Sequence, residues 1–138
     1  MGIIENEPKN AHAWNFLGYS LLVRGEEMDT AYKYINTALE ISPDDGYIRD
    51  SLGWYYFKKG EMKKALVQLE LAHKKVPNDL EILKHLAIIH VELKDYSKAK
   101  TFLQSAMKQA RYQTEREEIQ SSLEAIEAER LPASKGLD

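Results

Sequence analysis

The sequence predicts an all-α solenoid of three helical hairpins closed by a capping helix, and three observations carry that prediction. Ala31, Ala65 and Ala99 are spaced by 34 residues, as are Ala38, Ala72 and Ala106. Pro8 to Gly18, Pro43 to Gly53 and Pro77 to Ala87 each span 10 residues. The pairs Leu17-Gly18, Leu52-Gly53 and Leu86-Ala87 keep the same register, with one extra residue near Glu26-Glu27 in the first unit. A fixed period of this length marks units that bury their apolar faces against one another, and about three units suffice for stability.

Residues 1–10 read as the end of an earlier unit. Ile3-Ile4-Glu5-Asn6-Glu7-Pro8 has the character of Leu39-Glu40-Ile41-Ser42-Pro43, so the chain is expected to be the C-terminal part of a longer array, with Met1-Gly2 an addition. The first hairpin, 11–45, has helices over Ala11 to Arg24 and Met28 to Ile41, separated by Gly25, which accepts the left-handed backbone of a helix stop. The second, 46–79, repeats this over Gly46 to Lys59 and Met62 to Val76 around Gly60. The third, 80–113, does so over Leu80 to Leu93 and Tyr96 to Arg111 around Lys94-Asp95. Asn10, Asp45 and Asp79 each precede a first helix, where a side-chain oxygen can accept from an orphan backbone N–H.

Over 114–131, Ile119, Leu123 and Ile126 recur at i, i+4 and i+7 against a glutamate-rich back. That pattern fits a capping helix, apolar toward the last repeat and charged toward water. Leu131-Pro132 is expected to stop it, leaving 132–138 as a flexible tail.

Composition bounds the function. With 43% hydrophobic and 30% charged residues among 138, the chain is neither disordered nor membrane-like. A net charge of -3 offers no general attraction for nucleic acid or anionic lipid. No cysteine is present, so no disulfide or thiolate metal site exists and the compartment stays undetermined. No apolar run reaches the roughly 18 residues of a membrane span, and a soluble chain is expected.

These residues resemble the tetratricopeptide repeat, a 34-residue helical hairpin with Leu-Gly in its first helix, two alanines in its second and a closing proline. The first unit shows Trp14, Leu17-Gly18, Leu21, Ala31, Ile35, Ala38 and Pro43. The second shows Leu52-Gly53, Tyr56, Ala65, Leu69, Ala72 and Pro77; the third shows Leu83, Leu86-Ala87, His90, Ala99, Leu103 and Ala106. Asp50-Ser51-Leu52-Gly53-Trp54-Tyr55-Tyr56 also resembles a segment of large bacterial repeat proteins. Three departures stand out: Arg49 in place of the large apolar residue, Lys94 for the turn glycine, and Arg111 for the closing proline, which is expected to let the helix run on toward the cap. Lys94 in a left-handed turn costs about 1 kcal/mol.

The resemblance implies a right-handed superhelix whose concave wall is lined by the first helix of each hairpin and receives a peptide or helix of a partner. Carried over by position, the partner-binding groove is Asn15, Tyr19 and Leu22, then Tyr47, Asp50, Trp54 and Phe57, then Lys84, Ile88 and Val91. Aromatic anchors with a polar rim suit a binding hot spot. The alternative for these rings is packing between adjacent first helices; Trp14 is expected in the core. Some family members clamp a terminal carboxylate with lysine, asparagine and arginine. Here Asn15, Tyr19, Ser51, Glu81 and His85 stand at those places, so that activity is not implied.

His85 and His90 lie five apart on one helix, rotated by about 140°, so they do not form a metal pair, and His90 reads as a packed core histidine. No phosphate loop, nucleophile elbow or His-Glu-x-x-His motif occurs, so no enzyme and no cofactor are expected. The reading is a protein-interaction scaffold binding a protein or peptide partner. The alternative is a homo-oligomer formed through the N-terminal end around Ile3, Ile4 and Trp14. A single-stranded RNA binder is disfavoured because the groove is not basic.

Overall fold

A computed structural model describes residues 9–136. Among them are seven α-helices and no strand: α1 (Ala11–Arg24), α2 (Met28–Ile41), α3 (Gly46–Lys58), α4 (Met62–Lys75), α5 (Leu80–Glu92), α6 (Tyr96–Gln109) and α7 (Gln113–Gly136). The expected turn of an earlier unit at Ile3 to Pro8 lies outside the described residues. The chain divides into two compact units, one ending at Pro77 and the other beginning at Asn78.

The first unit holds two hairpins. α1 packs on α2 and α3 on α4, while α3 also lies against α1 and α2. Glycine is needed where the paired helices meet. A Cβ on Gly18 would lie 2.8 Å from Ile35 Cγ1 and 3.0 Å from the Ala31 carbonyl oxygen, and one on Gly53 would lie 2.7 Å from Leu69 Cγ. The periodic alanines Ala31, Ala38, Ala65 and Ala72 are fully buried, as are Leu22, Ile35, Ile48 and Leu69.

The expected caps form. Asn10 Oδ1 accepts from Ala13 N–H at 3.0 Å, Asp45 Oδ1 from Tyr47 N–H at 2.8 Å, and Asp79 Oδ2 from Ile82 N–H at 3.1 Å. Asp95 is a fourth, taking Lys98 N–H at 3.2 Å. All three hairpin turns share one stop: Glu26, Glu61 and Asp95 donate to the carbonyls of Leu21, Tyr56 and His90 at 3.0, 2.9 and 2.8 Å. The residue before each donor is left-handed, with φ of 70° at Gly25, 79° at Gly60 and 61° at Lys94. Lys94 therefore adopts the turn glycine's backbone. The extra residue of the first hairpin is absorbed by Glu27, left-handed at φ 46°. Arg49, at an expected apolar position, ties the hairpin link: Nη2 donates to the Pro43 carbonyl at 3.0 Å and Nη1 to Gln68 Oε1 at 3.0 Å.

In the second unit α5 packs on α6 and α6 on α7. Leu83, Ala87, Ala99, Leu103, Ala106, Ile119 and Ile126 form its core, with Leu123 half-buried against it. The cap's apolar stripe thus packs as its spacing predicts. Two expectations at its ends are corrected. α6 stops at Gln109 instead of running through Arg111: Ala110 is extended, and Glu115 Oε1 accepts from Arg111 N–H at 2.9 Å and Tyr112 N–H at 3.1 Å. A carboxylate two residues inside the new helix takes its orphan donors, which ends one helix and starts the next. α7, expected to stop at Leu131-Pro132, continues to Gly136, because a proline removes one backbone donor and the remaining ladder carries the helix past it.

Candidate interaction surface

In the first unit the expected wall residues separate by depth. Trp54 and Phe57, three apart on α3, stack with ring centroids 4.4 Å apart and planes at 18°. Lys58 Nζ stands 6.0 Å from the centre of the Trp54 ring, at the outer limit of a cation-π contact. Both rings are half-buried, and Trp54 also packs against the unit's core. Tyr47 is exposed, at 49%. Tyr19 and Asn15 on α1 are half-buried, and the Asn15 amide oxygen is shielded from solvent with no hydrogen-bond donor among the described residues.

Two expected wall residues are core instead. Leu22 has no exposure and joins Ile35 and Ile48 in the first unit's core. It lies one turn beyond Gly18, on the side of α1 that meets α2, and a helix places i and i+4 on one face. Asp50 is buried at 8%, one turn beyond Gly46, whose own Cβ would lie 2.8 Å from Val76 Cγ2. Trp14, expected in the core, is half-buried against it and meets Tyr34 with ring centroids 5.3 Å apart. Phe16 is 69% exposed, whereas Ser51 and His85 at the corresponding register positions are buried.

In the second unit Lys84 is not a free cation. Its Nζ lies 2.8 Å from Glu118 on α7 and 3.5 Å from Glu81. Burial alone would lower its pKa, but the two carboxylates outweigh burial and hold it above the usual lysine value. Ile88 and Val91 line a cleft of about 330 Å³. Its floor is Ala87, Leu103 and Ile126, all nearly inaccessible to solvent. Ser122, Ala125 and Glu129 of α7 form the facing side, and Glu92 and Tyr96 complete the rim. Sequence reasoning missed the contributions of α6 and α7. The available signal was Ala87 standing where the other hairpins have Gly18 and Gly53.

The remaining polar candidates are structural. His90 is buried and stacks on Phe102 at 5.5 Å and 15°, as a packed core histidine should. His85 is buried with Glu81 Oε2 at 3.8 Å. Among the described residues no three histidine or acidic side chains come together to hold a metal, and no helix is long and apolar enough to cross a membrane. A tyrosine cluster went unforeseen: Tyr32 lies 4.8 Å from Tyr55 and 6.5 Å from Tyr56, centroid to centroid. Burial first, then hydrogen bonding to Tyr32, pushes the Tyr56 pKa up to about 12.

Repeated helical hairpins with a glycine or alanine at each close approach define an all-α helical-repeat scaffold of the protein-interaction class. The comparisons agree. Two family models of the tetratricopeptide repeat match, one over residues 11–45 and the other over 56–121, and the chain belongs to that family. It is 38% identical over 84 residues to the TPR repeat-containing protein PA4667 of Pseudomonas aeruginosa, covering 61% of this chain and 14% of that protein. It is 32% identical over 107 residues to the TPR repeat-containing protein MJ1428 of Methanocaldococcus jannaschii, covering 78% and 18%. The chain therefore spans less than a fifth of either relative.

Solved structures share the fold. The Pseudomonas aeruginosa pilF structure matches with a TM-score of 0.79 at 23% identity, over 87% of this chain and 53% of that one. The Sgt2 TPR domain from Aspergillus fumigatus gives 0.77 at 19%, over 93% and 83%. The first TPR of Spaghetti (RPAP3), bound to an HSP90 peptide, gives 0.75 at 14%, over 88% and 93%.

Proposed function

We propose that this chain is a non-enzymatic protein-interaction scaffold that holds a peptide or helical segment of a partner protein against its first helices. The observation that carries this reading is the Trp54–Phe57 stack, held from below by the core yet accessible, with Lys58 beside it. Rings already fixed in place lose little freedom on binding, so most of their burial goes into affinity. Exposed Tyr47 and half-buried Tyr19 supply further contact area on the first helices. An acidic peptide end of the kind bound by the Spaghetti domain is not favoured: Ser51 and His85 are buried and Glu81 is an exposed carboxylate.

The test is capture of partners from lysate by the chain and by a Trp54→Ala, Phe57→Ala variant with unchanged helicity. Loss of about 2 kcal/mol, roughly 30-fold in Kd, is expected for partners bound at the stack. An identical catch by both proteins removes the stack from the function. A second reading, association of copies through α1, is favoured by Phe16, which is exposed where its register counterparts are buried. A monomer mass by light scattering that does not change with concentration would dismiss it.

A further inference from the structure

We propose that the cleft between α5 and α7 is an anchor site for one bulky apolar side chain of a partner segment that carries lysine or arginine beside that anchor. α7 is tied to α5 near its start by Lys84 and Glu118, 2.8 Å apart, and Ile119 is buried just beyond. Further along, the α7 side of the cleft carries the small Ser122 and Ala125 opposite Ile88 and Val91, with Glu129 at its end, and about 330 Å³ is left between the two helices. A dry apolar cavity of about 150 Å³ already accepts a benzene-sized group, so this open cleft accommodates an aromatic or branched aliphatic side chain with room for its backbone. Its floor of Ala87, Leu103 and Ile126 brings no hydrogen-bonding side chain that an apolar guest would strand.

The charge at the mouth selects the flanking residue. Glu92 on α5 and Glu129 on α7 both line the cleft, both are exposed, and neither meets a cation among the described residues. Among the described residues no lysine or arginine lines the cleft. A cation beside the anchor gains from both carboxylates, while an acid there is repelled, so the partner's flanking charge should be positive. This inference rests on the scaffold reading and assigns the second unit its own ligand chemistry.

The experiment is selection of a randomised displayed peptide library on the full chain, followed by affinity measurement of the winners on three folded variants. Ala125→Trp fills the cleft from an exposed position. Glu92→Gln with Glu129→Gln removes the charge without changing shape, and Trp54→Ala with Phe57→Ala tests the other surface. The expected result is convergence on a bulky apolar residue next to lysine or arginine. Those peptides should lose at least about tenfold on Ala125→Trp. The loss on the double glutamine variant should be a few-fold and should vanish at high salt. Winners that bind Ala125→Trp as tightly as the parent, or that carry acidic flanks, or the absence of any enrichment, overturn the proposal. Winners weakened only by the Trp54 and Phe57 changes overturn it while leaving the scaffold reading standing; winners weakened only by Ala125→Trp do the reverse for the aromatic stack.

Discussion

The hairpins of the first unit and the single hairpin of the second follow one template yet differ in the relief of their surfaces. In the first, Gly18 and Gly53 let paired helices close until an added Cβ would overlap Ile35 or Leu69, and α3 carries two stacked, half-buried rings, Trp54 and Phe57. In the second, Ala87 replaces the glycine, Lys94 replaces the turn glycine, and α7 covers the hairpin while leaving a cleft floored by Ala87. In the proposed reading, the first surface supplies anchors and the second receives one. A change of one methyl at a conserved register position can accompany a change in the type of contact a repeat offers.

The comparison breaks first at the cap. Ile119→Ala removes a fully buried side chain and should cost about 2 to 4 kcal/mol. Hydrogen exchange should then quicken in α5, α6 and α7 and leave α1 to α4 protected; equal loss throughout would show that the two units unfold as one. Next comes the glycine position. Gly53→Ala should destabilise by roughly 1 to 3 kcal/mol through overlap with Leu69, whereas Ala87→Gly should cost about 1 kcal/mol through backbone freedom. Urea midpoints giving equal costs for the two would erase the distinction between hairpins.

Smaller effects sharpen it. Lys94→Gly relieves a left-handed lysine and should stabilise by up to about 1 kcal/mol, while Gly60→Lys should destabilise by a similar amount. The smallest concerns pH. The backbone N–H groups of Arg111 and then Tyr112 hold the Glu115 carboxyl below its ordinary pKa of 4.5, so its contribution is present above that value and fades as pH falls through the lowered folded pKa. Glu115→Gln should lower the urea midpoint slightly at neutral pH, and the gap from the parent should close in acid.

Much of this was legible in the chain. The caps Asn10, Asp45 and Asp79, the left-handed Lys94 and the buried stripe Ile119, Ile126 follow from spacing and residue type alone, because each depends on contacts within one or two turns or on one helix face. The wall was legible only in part. Leu22 and Asp50 sit at the border between the face that meets a neighbouring helix and the face that meets solvent, and a rotation of a few tens of degrees decides between them. Lys84 was legible only as a groove residue because its partner Glu118 is 34 residues away on a helix whose placement no periodicity specifies.

The sequence by itself determined a helical-repeat chain, its register, its turns and the identity of its capping helix, since periodicity and backbone preference are local properties that repetition amplifies. The tertiary structure alone decided which wall residues are accessible, that Lys84 is spent on the cap, and that α5 and α7 enclose a cleft with an acidic mouth. Those outcomes depend on the angle and depth at which helices pack, which follow from the combined shapes of side chains distant in the chain.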